Sequence, residues 1–460
     1  KFAKDIYEEL ANQEFKEKLE NEMQKTAMAF NIFKQVQFRQ EEDMAEFKKA
    51  KKQLRERLFA LNDTLNKRLF IATGDGKPEH FDAWKASHLP FHWLAEFYEI
   101  IKGNGGFDVI IGNPPYVEYN SVKFPYKVNN YQTLPCSNLY AFILERETQL
   151  ISRKGIMGNI IPVSIMSTPG YVSLRRLMYS MGCNYYSSYN IHPCCLFDGA
   201  HPRLSILINR MDKNNKVYVS KYHKWLSEER KYLFTRLYYS CPDFNIMTRT
   251  VQRSLPKIPS DIAVAILSKM FLQKHNIGEY MVRNVRNNGQ DFYYRRAFGA
   301  FILFYDNKPK MYNELKQPMD PTEMKTVKFE SKFKNIILSL YHSSLFYFYT
   351  YTYSDCRNIN KPEVEEFLID LEKCFQNIGL KLSEINKRLS RDLQLKSKFL
   401  EYNYSSGWRK FQAFYPRDSK PIIDEIDKVL AKHYGFTDEE LDFIINYDIK
   451  YRMGDELNEE

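Results

Sequence analysis

The sequence lacks the cysteine spacing of a disulfide framework or a zinc site. Its 460 residues include seven cysteines, an odd number, and none of them forms a CxxC pair. Secreted disulfide-rich domains and zinc ribbons use regularly spaced, paired cysteines, so this pattern argues against both classes. We expect the reduced thiols of a cytoplasmic protein, and we expect no metal site.

Long apolar runs are also missing. The longest stretch without a charged residue runs from residue 335 to 354, and it contains His342, five tyrosines and several serines and threonines. A transmembrane helix needs about 20 predominantly apolar residues, and this stretch is too polar for that role. We expect it to be buried inside a folded domain, and we expect no membrane partner.

Glycine and proline are absent before Gly74, while leucine, phenylalanine and methionine recur there at spacings of three and four residues. This pattern predicts helices over residues 1–68. Acidic and basic residues are both abundant in the whole chain, and the net charge is +10. That moderate excess permits nucleic-acid binding but does not require it.

The most informative stretch is a short strand followed by a stiff polar loop. Val109, Ile110 and Ile111 form a β-branched apolar run, which predicts a buried strand. Gly112 and the two prolines of the Asn-Pro-Pro-Tyr sequence at 113–116 then stop the strand and stiffen the turn. The loop would lie at the carboxyl end of a strand, where open α/β sheets bind their ligands.

The residues of this loop suit the transfer of a group to an exocyclic amine. The side-chain carbonyl of Asn113 and a proline backbone carbonyl can both accept hydrogen bonds from an NH2 group, which turns the amine lone pair toward an electrophile. Tyr116 offers a ring on which a base can stack, and such a base must first leave its duplex. The alternative interpretation is an ordinary strand followed by a polyproline turn.

Further blocks of sequence accompany the loop and extend over about residues 105–210. They are an Asn-Leu-Tyr-Ala-Phe segment at 138–142, a strand-like run at 155–162, a helical Leu-Arg-Arg-Leu at 174–177, and a hairpin with parts at 195–198 and 204–208. In this order they resemble the gamma class of DNA adenine-N6 methyltransferases, in which target recognition is C-terminal. The resemblance is to the C-terminal part of large single-chain restriction–modification enzymes of the Type IIG, Eco57I-like kind.

The resemblance implies that the chain carries the catalytic loop of a base-flipping enzyme. The Asn113 side chain and the Pro114 backbone would accept the N6 hydrogens of an adenine. Tyr116 would stack on one face of the flipped base, and Phe197 would close the other face. No metal is implied for the transfer. The implied catalytic residues are Asn113, Pro114, Pro115 and Tyr116.

The resemblance also implies S-adenosylmethionine as the cofactor, bordered by Phe142 and Asn113. The family binds this cofactor mainly at an upstream strand that ends in a glycine-rich turn, and an acidic residue on the next strand holds the ribose. Nothing before Asp108 has that pattern. We therefore expect the cofactor-binding half to come from an upstream part of the same enzyme or from a partner chain. Without that half we expect the chain to be inactive.

The expected architecture is α/β and has four parts. A helical segment covers residues 1–80, and a partial Rossmann-like methyltransferase domain covers 81–212. A mixed α/β target-recognition domain follows at 213–367, and its C-terminal helical part occupies 368–460. Arginines interleaved with tyrosines in the recognition domain suit double-stranded DNA as the partner. The expected DNA-binding residues are Arg283, Arg286, Arg295 and Arg296.

These expectations combine into one function and two alternatives. The chain would help transfer a methyl group from S-adenosylmethionine to adenine N6 at a specific DNA site, within a restriction–modification or phage-defence system. A chain without the cofactor turn could instead be a non-catalytic DNA-recognition subunit. An RNA or protein-amide methyltransferase is the third interpretation, because related loops also methylate RNA adenines and glutamine amides. The long C-terminal recognition region favours duplex DNA.

Overall fold

Helices and strands both occur along most of the chain, as the α/β class predicts. The computed structural model describes residues 13–38, 44–75, 77–123, 127–197, 199, 202–242, 254–282, 289–321, 323–404 and 407–454. The helices are α1 (Gln13–Gln37), α2 (Met44–Thr73), α3 (Phe81–His88), α4 (Trp93–Glu96), α5 (Leu139–Leu150), α6 (Ser164–Ser167), α7 (Val172–Ser180), α8 (Asp261–Phe271), α9 (Lys334–His342), α10 (Ser344–Tyr353), α11 (Lys361–Glu365), α12 (Leu371–Lys396), α13 (Lys420–Tyr434), α14 (Asp438–Ile445) and α15 (Ile449–Met453).

One five-stranded sheet carries the loop of interest. Its strands are β1 (Phe107–Gly112), β2 (Ile151–Pro162), β3 (Gly182–Tyr189), β4 (Leu204–Met211) and β5 (Lys216–His223). Their order across the sheet is β1-β2-β4-β3-β5, so β1 lies at one edge. β1 and β2 are parallel, with Gly112 opposite Asn159. The helix α5 connects these two strands, as expected of a parallel crossover.

Two smaller antiparallel sheets lie in the C-terminal half of the chain. One has the order β7 (Phe304–Tyr305), β6 (Gly289–Arg295), β9 (Met324–Glu330). The other has the order β10 (Lys398–Tyr404), β11 (Gly407–Ala413), β8 (Met311–Tyr312). In the second, β10 and β11 form a ribbon of seven residue pairs, while β8 pairs with β11 only at Lys410 and Phe411.

The chain divides into two compact units. The first comprises residues 1–161, 173–184 and 207–216, and the second comprises 162–172, 185–206 and 217–460. The four-part division expected from the sequence stays a prediction. In the first unit, Leu19 and Met23 of α1 and Leu61 and Leu65 of α2 are buried in one cluster. Their four-residue spacing places each pair on one helix face, which explains why the described part of this glycine-free region forms two packed helices. Residues 1–12 and 39–43 of the predicted helical region lie outside the described residues.

The core of the second unit contains the uncharged stretch noted in the sequence. All residues of α10 are buried, and so are those of α9 from Ile336 onward. The prediction that this stretch is a buried segment is therefore confirmed. Rings of α9 and α10 pack on β7, since Phe304 stacks on Tyr341 at 4.0 Å and contacts Phe346. None of the described helices is long and apolar enough to cross a membrane.

Two expectations need correction. The run at 109–111 is a strand, but Val109 is 57% exposed and Ile111 is 82% exposed, so the prediction of a buried strand is wrong. The reason is that β1 is an edge strand whose apolar side chains are left uncovered by the described residues. Residues 368–460 are also not only helical, because the β10–β11 ribbon lies between α12 and α13.

Candidate active site

The Asn-Pro-Pro-Tyr loop directly follows β1 and is held on both sides. Asn113 is exposed and Pro114 is buried, so the loop is packed at one residue and open at its neighbour. Beyond the loop, the Leu139 N–H donates to the Val117 carbonyl at 2.9 Å, and Glu118 forms an antiparallel bridge with Asn138. The strand before the loop and the pairing after it therefore fix its position, as the sequence predicted from the two prolines.

The Tyr116 hydroxyl joins the two ends of the loop. Its oxygen lies 2.5 Å from Oδ1 of Asn113 and 3.0 Å from the backbone oxygen of Ile160. Burial raises the pKa of Tyr116 above its ordinary value, so the hydroxyl stays a hydrogen-bond donor. A carbonyl oxygen has two acceptor positions, so Asn113 keeps one acceptor position for a ligand when Tyr116 occupies the other.

The buried carboxyl group of Glu147 lies beside the strand end that leads into the loop, and the sequence did not reveal this contact. Glu147 of α5 accepts a hydrogen bond at 2.6 Å from the side-chain nitrogen of Asn159 on β2. A Cβ atom added at Gly112 would lie 2.6 Å from Oδ1 of that same Asn159. A side chain at residue 112 would therefore have to displace the Asn159 amide, which lies against the backbone that leads into the loop.

Glu147 is buried, and this burial raises its pKa from 4.5 to about 7. The hydrogen bond from Asn159 opposes that rise, since it favours the charged carboxylate. Glu147 and Asn159 could not be identified from the sequence, because their meeting depends on the parallel register of β1 and β2. The glycine at 112 was the available signal, since a glycine that ends a strand often marks close approach of another group.

Phe142 lies on α5 within a depression on the β1 side of the first unit. The depression has a volume of about 720 Å³, and Val109, Ile111 and Phe142 contribute to its lining. Phe142 is buried, and its ring contacts those of Tyr119 and Tyr131 at 5.5 Å and 5.9 Å. The lining is mostly apolar and aromatic, which is the composition of a pocket for a flat organic ring.

Phe197 belongs to the second unit, whereas the Asn-Pro-Pro-Tyr loop belongs to the first. Its side chain is 38% exposed, so Phe197 is not a core residue. Arg230 fixes the neighbouring backbone, because its guanidinium donates to the carbonyls of Cys195 and Leu196 at 2.9 Å and 2.7 Å. The backbone just before Phe197 is thus anchored while the ring faces solvent. Its role in closing a base pocket stays a prediction.

The arginines expected to bind DNA do not form one cluster. Arg295 and Arg296 are both exposed, but Arg295 lines one groove of the second unit and Arg296 lines another. Arg296 also donates to Oδ1 of Asn360 at 3.1 Å. Arg283 and Arg286 lie outside the described residues.

The described residues contain no group of side chains arranged to bind a metal ion. No three side chains among their histidines, cysteines, aspartates and glutamates are grouped closely enough to hold an ion. The arrangement that does exist is an exposed Asn113 amide carbonyl that accepts a hydrogen bond from the half-buried Tyr116 hydroxyl. The second acceptor position of this carbonyl can take a hydrogen bond from an amine and orient it.

Comparison with known proteins gives the chain a family context. The family described as Eco57I restriction-modification methylase matches residues 18–192. This match includes β1, the Asn-Pro-Pro-Tyr loop, α5 and β2. It extends over the whole of the two N-terminal helices that the structure describes, apart from the first residues of α1.

Three curated proteins are similar over parts of the chain. A putative type II restriction enzyme and methyltransferase of Methanocaldococcus jannaschii, RM.MjaORFECS2P, is 33% identical over 26% of this chain and 10% of its own length. The type II restriction enzyme and methyltransferase RM.Eco57I of Escherichia coli is 24% identical over 44% of this chain and 21% of its own length. The modification methylase CviBIII of Paramecium bursaria Chlorella virus NC1A is 34% identical over 22% of this chain and 26% of its own length.

These matches confirm the resemblance to restriction–modification methylases. They also show that the aligned part of this chain spans at most about a quarter of the length of the curated relatives it matches. What those longer proteins do as a whole is therefore a proposal for this chain.

Proposed function

With the match of residues 18–192 to the Eco57I restriction-modification methylases as the premise, we propose that this chain is the catalytic and target-recognition part of a DNA methyltransferase. The enzyme methylates N6 of adenine at a specific site, within a restriction–modification or phage-defence system. The observation that carries the proposal is the exposed Asn113 carbonyl, held at the carboxyl end of β1 by Tyr116. The seven free cysteines support a reducing compartment such as the cytoplasm.

The loop orients the amine. One N6 hydrogen is donated to the free acceptor position of Asn113 Oδ1, and the other is donated to the Pro114 backbone carbonyl. With both hydrogens held, the nitrogen lone pair points away from the loop toward the methyl donor. S-adenosylmethionine, when bound, supplies an electrophilic methyl group. Because the loop is fixed at both ends, this geometry exists before the base arrives, which lowers the entropic cost of reaching the transition state.

The base reaches the loop by leaving the duplex. Extrusion costs a few kcal/mol, and stacking on an aromatic ring returns roughly 1–3 kcal/mol per base. Tyr116 offers one ring, whose edge is fixed by the contacts of its hydroxyl group with Asn113 and Ile160. The exposed Phe197 ring offers the second, and its anchored backbone supports that assignment.

The residues of this chain fit one part of the cofactor. The depression beside Phe142 has an apolar, aromatic lining that suits an adenine ring, so Phe142 would hold that ring. Asn113, at the end of the adjacent strand, would face the methyl group. The ribose and the amino-acid part need polar partners that a second half of the fold supplies.

That second half is the proposed partner of the β1 edge. Parallel strands of α/β proteins are normally covered on both faces, whereas Val109 and Ile111 are exposed. We assign this uncovered surface to a cofactor-binding segment, contributed by an upstream part of the enzyme or by a partner chain. The short share of the relatives' length that this chain covers supports such a segment.

A non-catalytic recognition subunit is the second candidate, and the uncovered β1 edge is the observation that favours it. The two are separated by nucleoside analysis of DNA treated with the chain, its cofactor-binding half and S-adenosylmethionine. An adenine methyltransferase produces N6-methyladenine. DNA binding without any methylated nucleoside would identify a recognition subunit, and methylation of RNA or of protein amides alone would reject DNA as the substrate.

A further inference from the structure

Strand β10 of the β10–β11 ribbon is exposed to a degree that is uncommon for a strand of a folded domain, whereas β11 is half-buried. Every residue of β10 except Leu400 is exposed, and Tyr402 and Tyr404 are each about half exposed. β10 is also an edge strand, since it stands at the end of the order β10-β11-β8 and pairs in this sheet with β11 alone. Exposed edges and exposed aromatic side chains are liabilities unless a partner uses them, so the ribbon has the properties of an interaction surface.

The side chains of the ribbon are divided between two faces. Tyr402 lies opposite Arg409, and Tyr404 lies two positions further along the same face. The ring of Tyr402 is 6.2 Å from that of Tyr404. The other face carries Lys410, which is paired with Glu401 at 2.8 Å. Tyr402, Tyr404 and Arg409 therefore share one face. The other face carries Phe399, Trp408 and a lysine whose charge is balanced by Glu401.

Tyr404 and Arg409 also line a groove of the second unit, which has a volume of about 490 Å³. Arg295 reaches this groove from β6 and Arg409 reaches it from β11, although they are far apart in the sequence. Three basic residues face one acidic residue there, so the groove is net positive. The charged and aromatic lining of the groove includes Arg295, Lys310, Arg409, Glu323, Tyr404 and Phe411.

This combination matches the chemistry of duplex DNA. Arginine donates bidentate hydrogen bonds to guanine and binds phosphate, and tyrosine contacts sugars, phosphates and base faces. The DNA major groove is about 12 Å wide and admits a two-stranded β-ribbon. The outer part of the β10–β11 ribbon, beyond the pairing with β8, consists of these two strands.

We propose that the Tyr402, Tyr404 and Arg409 face of the β10–β11 ribbon, together with Arg295, contacts the target DNA. This inference rests on the proposed function, because it names the part of the chain that binds the substrate of that reaction. The ribbon enters the major groove, and the positive groove beside it receives one DNA strand. Arg295 is thereby joined to a recognition surface that comes mainly from residues 398–413.

The test is binding of the full chain to a fluorescent 40-base-pair duplex of random sequence, and to duplexes selected from that pool for tight binding. Arg295→Ala, Arg409→Ala and Tyr404→Ala should each weaken binding of the selected duplexes by at least about fivefold, and Tyr404→Phe should keep most of the affinity. Each lost phosphate contact should also reduce the slope of log K against log salt by about 0.9. Unchanged unfolding curves show that each variant is folded.

Lys410→Ala is the matched control, because it removes a positive charge from the opposite face of the same ribbon. It should bind like the parent. If the parent binds duplex DNA and the groove variants bind equally well, the inference is wrong while the proposed function stands, and the face is then free for a protein partner. Equal weakening by Lys410→Ala would also overturn it. If the parent binds no duplex, both the inference and the proposed function fail.

Discussion

Glu147 is a buried titratable residue beside the start of the Asn-Pro-Pro-Tyr loop. Its pKa rises from 4.5 in the unfolded chain to about 7 in the folded protein, mainly because of burial. The folded state therefore holds the proton more tightly than the unfolded state. The stability that results is fully present below about pH 4.5 and is lost as the pH rises through 7.

Glu147→Gln should remove this pH dependence, because an amide has no proton to lose in this range. A pKa rise of this size corresponds to about 3 kcal/mol at 1.4 kcal/mol per unit. Thermal unfolding of parent and variant from pH 5 to 8 provides the measurement. Burial also raises the pKa of Glu363 to about 7 and that of Asp427 to about 6. The stability of both the parent and the variant will therefore fall as the pH rises, and the fall should be smaller in the variant. Parallel curves for the two proteins would show that Glu147 does not titrate here.

Tyr116 and Phe197 are predicted to act on the flipped base from two sides. Tyr116→Ala and Phe197→Ala should each weaken base extrusion, whereas Tyr116→Phe should be mild because it keeps the ring and loses only the hydroxyl contacts with Asn113 and Ile160. A 2-aminopurine at the target position brightens when it leaves the stack, which measures extrusion directly. A parent-like signal from Phe197→Ala would leave Tyr116 as the only stacking partner.

Single residues of the site differ in how far the sequence could predict them. Asn113 and Tyr116 were found because a β-branched run, a glycine and two prolines mark them locally. Glu147 was missed because its partner Asn159 is reached only through strand register. The exposure of Ile111 was also missed, since an apolar residue shows that a surface needs cover but not whether this chain provides it.

At the scale of elements, α10 depends on charged groups at both of its ends. Asp427 accepts hydrogen bonds from the backbone N–H groups of Ser344 and Leu345 at the start of the helix. At the other end, the ammonium of the buried Lys257 donates to the carbonyls of Thr352 and Ser354 at 3.0 Å and 2.8 Å. These charges match the helix dipole, negative at the N-terminus and positive at the C-terminus.

Lys257→Met should therefore destabilise the second unit. The variant removes the ammonium donor from both buried carbonyls. The Thr352 carbonyl keeps the bond from the backbone N–H of residue 257 at 2.9 Å, whereas the Ser354 carbonyl keeps the weak thiol donor of Cys356 at 3.9 Å. A buried carbonyl that loses its main donor costs about 1–3 kcal/mol. Urea unfolding followed by circular dichroism should show a lower midpoint. The exposed Lys274→Met, which changes the same residue type at the surface, is the control and should unfold like the parent. An unchanged midpoint for Lys257→Met would contradict this account of the helix end.

The elements were predictable to the extent that they bury one face. The heptad-like apolar pattern over residues 362–400 predicts one or two long helices, and α12 lies within that range. The glycine-free start of the chain predicts helices, and α1 and α2 lie there. The β10–β11 ribbon was not predicted, because neither strand alternates buried and exposed residues. A ribbon that binds DNA keeps its side chains available to the DNA, so it lacks the alternating apolar pattern by which strands are predicted.

At the scale of the whole molecule, the proposed cofactor-binding half would cover the exposed apolar side chains of β1. Ile111→Glu should leave the unfolding temperature of the chain itself unchanged, because this side chain is already exposed. It should strongly reduce methyl transfer when the cofactor-binding half is added, since a buried charge without a partner is costly. Leu380→Glu, at a residue that is 92% exposed on α12, is the control and should preserve methyl transfer. Full activity of Ile111→Glu would mean that β1 is not the site of assembly.

The most direct measurement is adenine-N6 methylation by the Asn113→Ala enzyme, assembled with its cofactor-binding half and assayed by mass spectrometry of DNA nucleosides. The account predicts that N6-methyladenine disappears while affinity for duplex DNA changes little, because Asn113 acts on the amine rather than on the duplex. The exposed Asn120→Ala variant, made seven positions away, should methylate like the parent. Methylation by Asn113→Ala at the parent rate would contradict the assignment of this loop as the catalytic centre.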